Sequence, residues 1–175
     1  MRSGPRNPRA VAVVAGTRLQ QRITEAILPT LQQTLNIGSL KVISLDGYYQ
    51  FGLDFPESSP AEIVNFRSIS RIPWYDRTVT QKFLSLLPFA FQVLLLAKNI
   101  HCFIFFVDTG LLEKTAIMLL KRLGRRTVVV QDAMKRIPRH TRAGSLSWFG
   151  SAGADLYLLM GERYLSILPD KQKKI

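Results

Sequence analysis

Three aspartates, Asp46, Asp108 and Asp132, each follow a short run of apolar and β-branched residues. In an open parallel sheet, ligands bind outside the carboxyl ends of the strands. A carboxylate placed there can take a proton or orient a hydroxyl. Aspartate is equally a turn former and a helix cap, and that plainer role stays open for all three. Asp132 follows the most regular apolar strand, Val128-Val129-Val130, with Gln131 between, and is the candidate catalytic base. A phosphoacceptor aspartate would want paired acids after the first strand, where Gly16-Thr17-Arg18 offers none. That turn instead presents backbone amides at the start of a helix, which can hold an anion, although a tight turn explains it as simply. The candidate substrate-binding residues are Gly16, Thr17, Asp108, Thr109, Gly110, Gln131, Arg136 and Arg139.

Other chemistries find little support. His101 and His140 lie far apart, and Cys102 adjoins only one of them, so no zinc-ligand spacing exists and no metal is expected. Neither G-x-x-x-x-G-K-[ST] nor G-x-G-x-x-G occurs. Cys102 sits inside an apolar run and reads as a small core residue. The basic residues Lys121, Arg122, Arg125, Arg126, Lys135, Arg136, Arg139 and Arg142 crowd the second half. Arg125 and Arg126 precede a strand and fall at its amino edge. Lys135, Arg136, Arg139 and Arg142 follow a strand and fall at the ligand edge, where an anion-binding role competes with a merely solvated face.

The elements that must position these groups alternate. Residues 102–107 form a continuous β-branched and aromatic run, the pattern of a strand buried on both faces. A helix over 113–123, with Ile117, Leu120 and Leu123 on one side, is stopped by Gly124 in a left-handed cap, and a strand over 127–130 follows. This is a right-handed βαβ unit. A first unit has a strand at 10–15, a helix at 19–35 and a strand at 41–45. Ile23, Ala26, Ile27 and Leu31 mark the inner face of its helix, and Pro29 should bend it. Residues 48–77 are irregular and dense in aromatics, with a short strand at 64–66; they are either a pinned surface connection or a flap over a ligand. An apolar helix over 78–98 leads into the central unit, and a last strand covers 154–160. The fold class is therefore α/β, a doubly wound, mainly parallel sheet with helices on both faces.

Composition bounds the partners. With 175 residues, 47% of them hydrophobic, the chain can bury one real core. The predicted organisation is a disordered basic arm over 1–9, an α/β domain over 10–162 and a linker over 163–175. A formal charge of +12 asks for an anionic partner: nucleic acid, a phospholipid surface or phosphorylated small molecules. One cysteine excludes an internal disulfide, so a cytoplasmic location is expected, including the inner face of the membrane. The apolar stretch 83–97 is shorter than the ~20 residues that span a bilayer and contains Ser85, Pro88 and Gln92. A buried helix is its plain reading, and a helix resting on a membrane surface is the other.

Three short stretches resemble one family pattern. Val128-Val129-Val130-Gln131-Asp132-Ala133 is similar to a strand ending in Gln-His-Gly or Gln-Asp-Gly. Ala154-Asp155-Leu156-Tyr157-Leu158-Leu159-Met160-Gly161-Glu162 looks like the strand before an interdomain linker, and Lys173-Lys174-Ile175 like the opening of a following domain. Together they resemble the amino-terminal, acceptor-side Rossmann-like half of bacterial GT-B glycosyltransferases. The nearest flavour is the surface-polysaccharide group that borders on the nucleotide-sugar 2-epimerases. The pattern departs at Ala133, where glycine is usual, and lacks the histidine. The resemblance implies an incomplete transferase, inactive alone. It implies a nucleotide-sugar donor held mainly by a carboxyl-terminal domain or partner subunit, a glycan or lipid-linked acceptor, and no tightly bound cofactor. It adds Glu162 to the substrate-binding set. The alternative is a stand-alone basic module that binds nucleic acid or an anionic membrane surface.

Overall fold

The computed structural model of the chain describes residues 10–34, 38–131, 150 and 152–159. Six strands form one sheet: β1 (Ala10–Ala15), β2 (Ser39–Ser44), β3 (Glu62–Asn65), β4 (Cys102–Phe105), β5 (Arg126–Val130) and β6 (Leu156–Leu158). Their spatial order is β3-β2-β1-β4-β5-β6, and every pairing is parallel. The chain winds outward from β1 through β2 to β3, crosses back, and winds outward again from β4. The topological switch therefore falls between β1 and β4, where Val11 pairs with Cys102 and Val14 with Phe105.

The central strands β1 and β4 are apolar throughout because both faces are covered. On one face Ala12, Val14, Ile43, Phe103 and Phe105 join Phe89 and Val93 of α3 (Val79–Ala97) and Ile117 of α4 (Leu111–Arg122). On the other, Val11, Val13, Val42, Ile104 and Phe106 pack with Leu28 of α1 (Arg18–Thr34). Alternate residues of one strand thus feed two cores, as the two-residue strand period requires.

The edge strand β6 is stapled to β5 by Asp155. Its carboxylate accepts from the Thr127 backbone amide at 2.8 Å and from the Thr127 hydroxyl at 3.0 Å. The aspartate of the predicted last strand thus serves the sheet.

The helix α1 is continuous across Pro29. Ile23, Ile27 and Leu31 of the expected inner face pack against the core beside the buried Gln20, Thr24 and Leu28, and Ala26 alone of that set is exposed. In α4, Ile117 and Leu120 are buried but Leu123 is exposed at the helix end, with Gly124 at φ +67° beyond it. The apolar helix α3 starts at a capping box between Thr78 and Gln81. It is not the buried helix its composition predicts: Phe89, Val93 and Ala97 are covered, and most of the rest of its apolar surface is bare.

The irregular stretch contains the one-turn helix α2 (Asp46–Tyr49), β3 and a 3-10 turn at Trp74–Asp76. Arg77 pins it. This buried guanidinium donates to the carbonyl oxygens of Ile72 and Ser70 and to the hydroxyls of Ser68 and Ser85. It also lies over the rings of Tyr48 and Trp74, at 5.6 and 5.5 Å from their centroids. Burial pulls its pKa down, against a smaller upward pull from Tyr48.

Candidate functional site

The carboxyl edge beside the switch point is built from three turns that meet at Tyr49. The β1–α1 turn and the start of α1 supply Gly16, Thr17 and Arg18; α2 and the residues after it supply Tyr49, Gln50 and Phe51; the β4–α4 turn and the first turn of α4 supply Gly110 and Glu113. The Tyr49 hydroxyl lies 2.8 and 2.9 Å from the two carboxylate oxygens of Glu113, and both side chains are buried. Burial first, then the charge and hydrogen bond of Glu113, push the Tyr49 pKa well above the usual phenol range. Tyr49 is thus fixed as a donor.

Both turn glycines are dictated by this pair. A Cβ on Gly16 would sit 2.8 Å from the Tyr49 ring, and one on Gly110 would sit 2.0 Å from Glu113 Oε2. The glycines make room for Tyr49 and Glu113 to cross the switch point.

Outside the pair lies an aromatic surface. The Tyr49 ring stacks on Phe51, with centroids 6.0 Å apart, and on Tyr75 at 5.4 Å. Phe51 and Tyr75 also touch, at 5.7 Å. Tyr75 is 60% exposed and Phe51 36%, so two of the three rings face solvent. Next to them opens a shallow cleft of about 470 Å³ lined by Thr17, Arg18, Gln50 and Phe51. Arg18 Nε donates to the Phe51 carbonyl at 2.9 Å, which holds the exposed guanidinium at the cleft. An arginine in the first turn of a helix opposes the helix dipole unless it faces an anion. That mismatch was readable in the sequence, yet Arg18 passed there as one residue of a turn. Among the described residues this cleft offers a cation, a hydroxyl, an amide and ring faces. These are tools for binding.

The predicted site residues divide. Gly16 and Thr17 belong to the cleft and the turn beneath it. Gly110 and half-buried Thr109 start the β4–α4 turn. Asp108 is fully buried and turned into the protein: its Oδ2 accepts from the amides of Gly150 and Ala152, at 2.8 and 3.3 Å, and from the Tyr157 hydroxyl at 2.9 Å. It fastens the last strand region to the β4–α4 turn. Burial and the Asp108 charge push the Tyr157 phenol far up, and burial pulls the Lys114 ammonium down against the opposing Asp108 charge. Gln131 is buried and extends the β5–β6 ladder, its amide donating to the Leu158 carbonyl at 2.9 Å. Asp132, Arg136, Arg139 and Glu162 lie outside the described residues, as do the arm over 1–9 and the linker over 163–175. Cys102 is half-buried, and burial raises its thiol pKa. No group of three His, Cys, Asp or Glu that could hold a metal occurs among the described residues.

No protein-family model matches the sequence, and no curated protein matches it significantly. Solved structures do. A protein from Listeria monocytogenes designated a UDP-N-acetylglucosamine 2-epimerase superposes with a TM-score of 0.56 at 9% identity, over 93% of this chain and 42% of that one. The fold is that of a Rossmann-like GT-B half. Weaker likenesses are the glycotransferase of kitacinnamycin, with a TM-score of 0.46 at 12% identity over 75% of this chain and 32% of that one, and a protein of unknown function from Vibrio parahaemolyticus, with a TM-score of 0.44 at 12% identity over 93% and 98%. The chain spans less than half the length of the Listeria monocytogenes protein it matches. Its sheet order puts the carboxyl edge of β1 and β4, and with it the Tyr49 site, at the switch point.

Proposed function

We propose that this chain is the acceptor-binding half of a glycosyltransferase that moves a sugar from a nucleotide-sugar onto a glycan or lipid-linked acceptor. The observation that carries the reading is the solvent-facing Phe51–Tyr75 surface beside the Arg18 cleft at the switch point. Sugar rings present flat C–H faces that pack on aromatic rings, and a guanidinium recognises a phosphate or carboxylate in two-pronged fashion. An anionic saccharide satisfies both. On this reading the donor is held by a further domain or subunit, the chain is inactive alone, and it works in surface-polysaccharide assembly on the cytoplasmic side. Asp132, next after Gln131 at the end of β5, is the base that the sequence nominates.

The nucleic-acid alternative rested on the charge and on the arginine–aromatic mix at 67–77. Two of its members, Arg77 and Trp74, are buried against each other. They are internal structure, which leaves the sugar reading ahead.

Saturation-transfer NMR with a panel of neutral sugars, sugar phosphates and anionic oligosaccharides tests it. Anionic saccharides should receive saturation, and Tyr75→Ala or Arg18→Gln should weaken binding about 10-fold, the loss of one good contact. Binding of oligonucleotides with no saccharide bound would overturn the reading.

A further inference from the structure

We infer that the bare face of α3 docks the protein onto an anionic phospholipid bilayer. The face is continuous. Phe83, Leu84, Leu87, Phe91, Leu94 and Leu95 recur at the spacing of one helical side, and Leu87 is 74% exposed, Leu84 65%, Phe83 62% and Phe91 61%. Single exposed leucines are ordinary, but a stripe of this length on one helix is not. Ile69, exposed, lies in the segment that Arg77 ties to Ser85 on the flank of the same helix.

The helix is long and apolar enough to cross a membrane by composition alone. Its place in the fold gives it another relation to the bilayer. It leaves the β3 side of the sheet and delivers the chain to β4, and it packs on α4 through Phe89, Val93 and Ala97. Both ends are tied to one sheet, so α3 lies along the interface with its apolar side down.

Charge selects the occupant. From Arg77 to Gln131 the only acidic residues are Asp108 and Glu113, and both are buried. The same stretch exposes Lys98, Lys121, Arg122 and Arg126, and Arg125 reaches the end of α3 through a bond from its guanidinium to the Lys98 carbonyl. One exposed acid, Asp76, stands just before the helix, while the stretch from α3 to β5 exposes these four cations, and an apolar face in so cationic a stretch fits acidic headgroups over a hydrocarbon boundary. A second copy of this chain would bring two like-charged surfaces together. The inference stands apart from the sugar site and does not need it.

Flotation of the chain with vesicles of phosphatidylcholine, with and without phosphatidylglycerol, tests the proposal. The chain should float with the acidic vesicles, less so in high salt, and remain behind with the neutral ones. Leu87→Ser with Phe91→Ser alters only exposed side chains, so circular dichroism should be unchanged while vesicle binding falls about 10-fold or more. Lys98→Glu should weaken binding to acidic vesicles. No flotation with acidic vesicles, equal flotation with neutral ones, or flotation indifferent to the double variant overturns the proposal. So does a dimer on gel filtration that the double variant dissociates, which would assign the face to a second copy.

Discussion

Tyr49 and Glu113 stand 64 residues apart in the chain and within 2.9 Å in space, phenol to carboxylate, across the line where the sheet reverses its winding. Both residues are buried. Tyr49→Phe removes a donor from a buried carboxylate and keeps the ring. It should cost about 1–3 kcal/mol in urea unfolding, the usual penalty for stripping a buried polar group of a partner. An unchanged midpoint would mean that Glu113 draws its stability from elsewhere.

The two turn glycines should behave as parts of one unit. Gly110→Ala puts a methyl on the Glu113 carboxylate and should destabilise by about 1–3 kcal/mol through overpacking. In a Glu113→Ala background the same change should cost little. The double-mutant cycle reads the difference as a coupling energy, and additive effects would separate the glycine from the carboxylate.

Alkaline pH should expose the buried phenols. Tyr49 and Tyr157 have pKa values raised in the folded state, chiefly by burial. Below about pH 10 both states hold these protons, and their contribution to stability is fully present. Above it the unfolded chain releases protons that the folded chain keeps, so stability falls as pH rises. Each such tyrosine should contribute a slope of about 1.4 kcal/mol per pH unit. Unfolding by urea between about pH 9 and 11 measures it, and Tyr49→Phe should flatten the slope by one tyrosine's share.

The Arg77 guanidinium donates to four neutral oxygens, those of Ile72, Ser68, Ser70 and Ser85, and lies over two ring faces. Arg77→Lys keeps the charge and loses the planar fork, so it cannot serve Ile72, Ser68, Ser70 and Ser85 together. It should destabilise by about 2–4 kcal/mol and raise protease sensitivity between β3 and α3. A lysine variant as stable as the parent would show that the rings alone hold this stretch.

The central strands were legible because burial on both faces leaves an uninterrupted apolar signature. The observed β1 has the expected bounds, and the other strands shift by a few residues at their ends. The irregular stretch resisted because Asp46-Gly47-Tyr48-Tyr49 reads as a turn, and a single helical turn gains too little from local spacing to announce itself. The partnership of Tyr49 with Glu113 lies beyond any local pattern. Asp108 was correctly put after a strand, but the direction of a side chain at a strand end depends on what packs there, and here it is the segment carrying Gly150 and Ala152. In α3 the sequence reports how apolar the helix is and nothing of which side the sheet covers.

The pairing of Val11 with Cys102 has a consequence for the order of assembly. During synthesis β1 emerges first and can find β2 and β3 soon afterwards. Its second side has no neighbour until β4 has left the ribosome. Through that interval β1, the central strand, presents an open backbone edge, which is the place where a nascent parallel sheet is most exposed to mispairing. The carboxyl edge of the switch point closes only when that second neighbour arrives, so the Tyr49–Glu113 contact reports on one particular late event. A Tyr49 fluorescence or protection signal should therefore lag behind the formation of the first three strands.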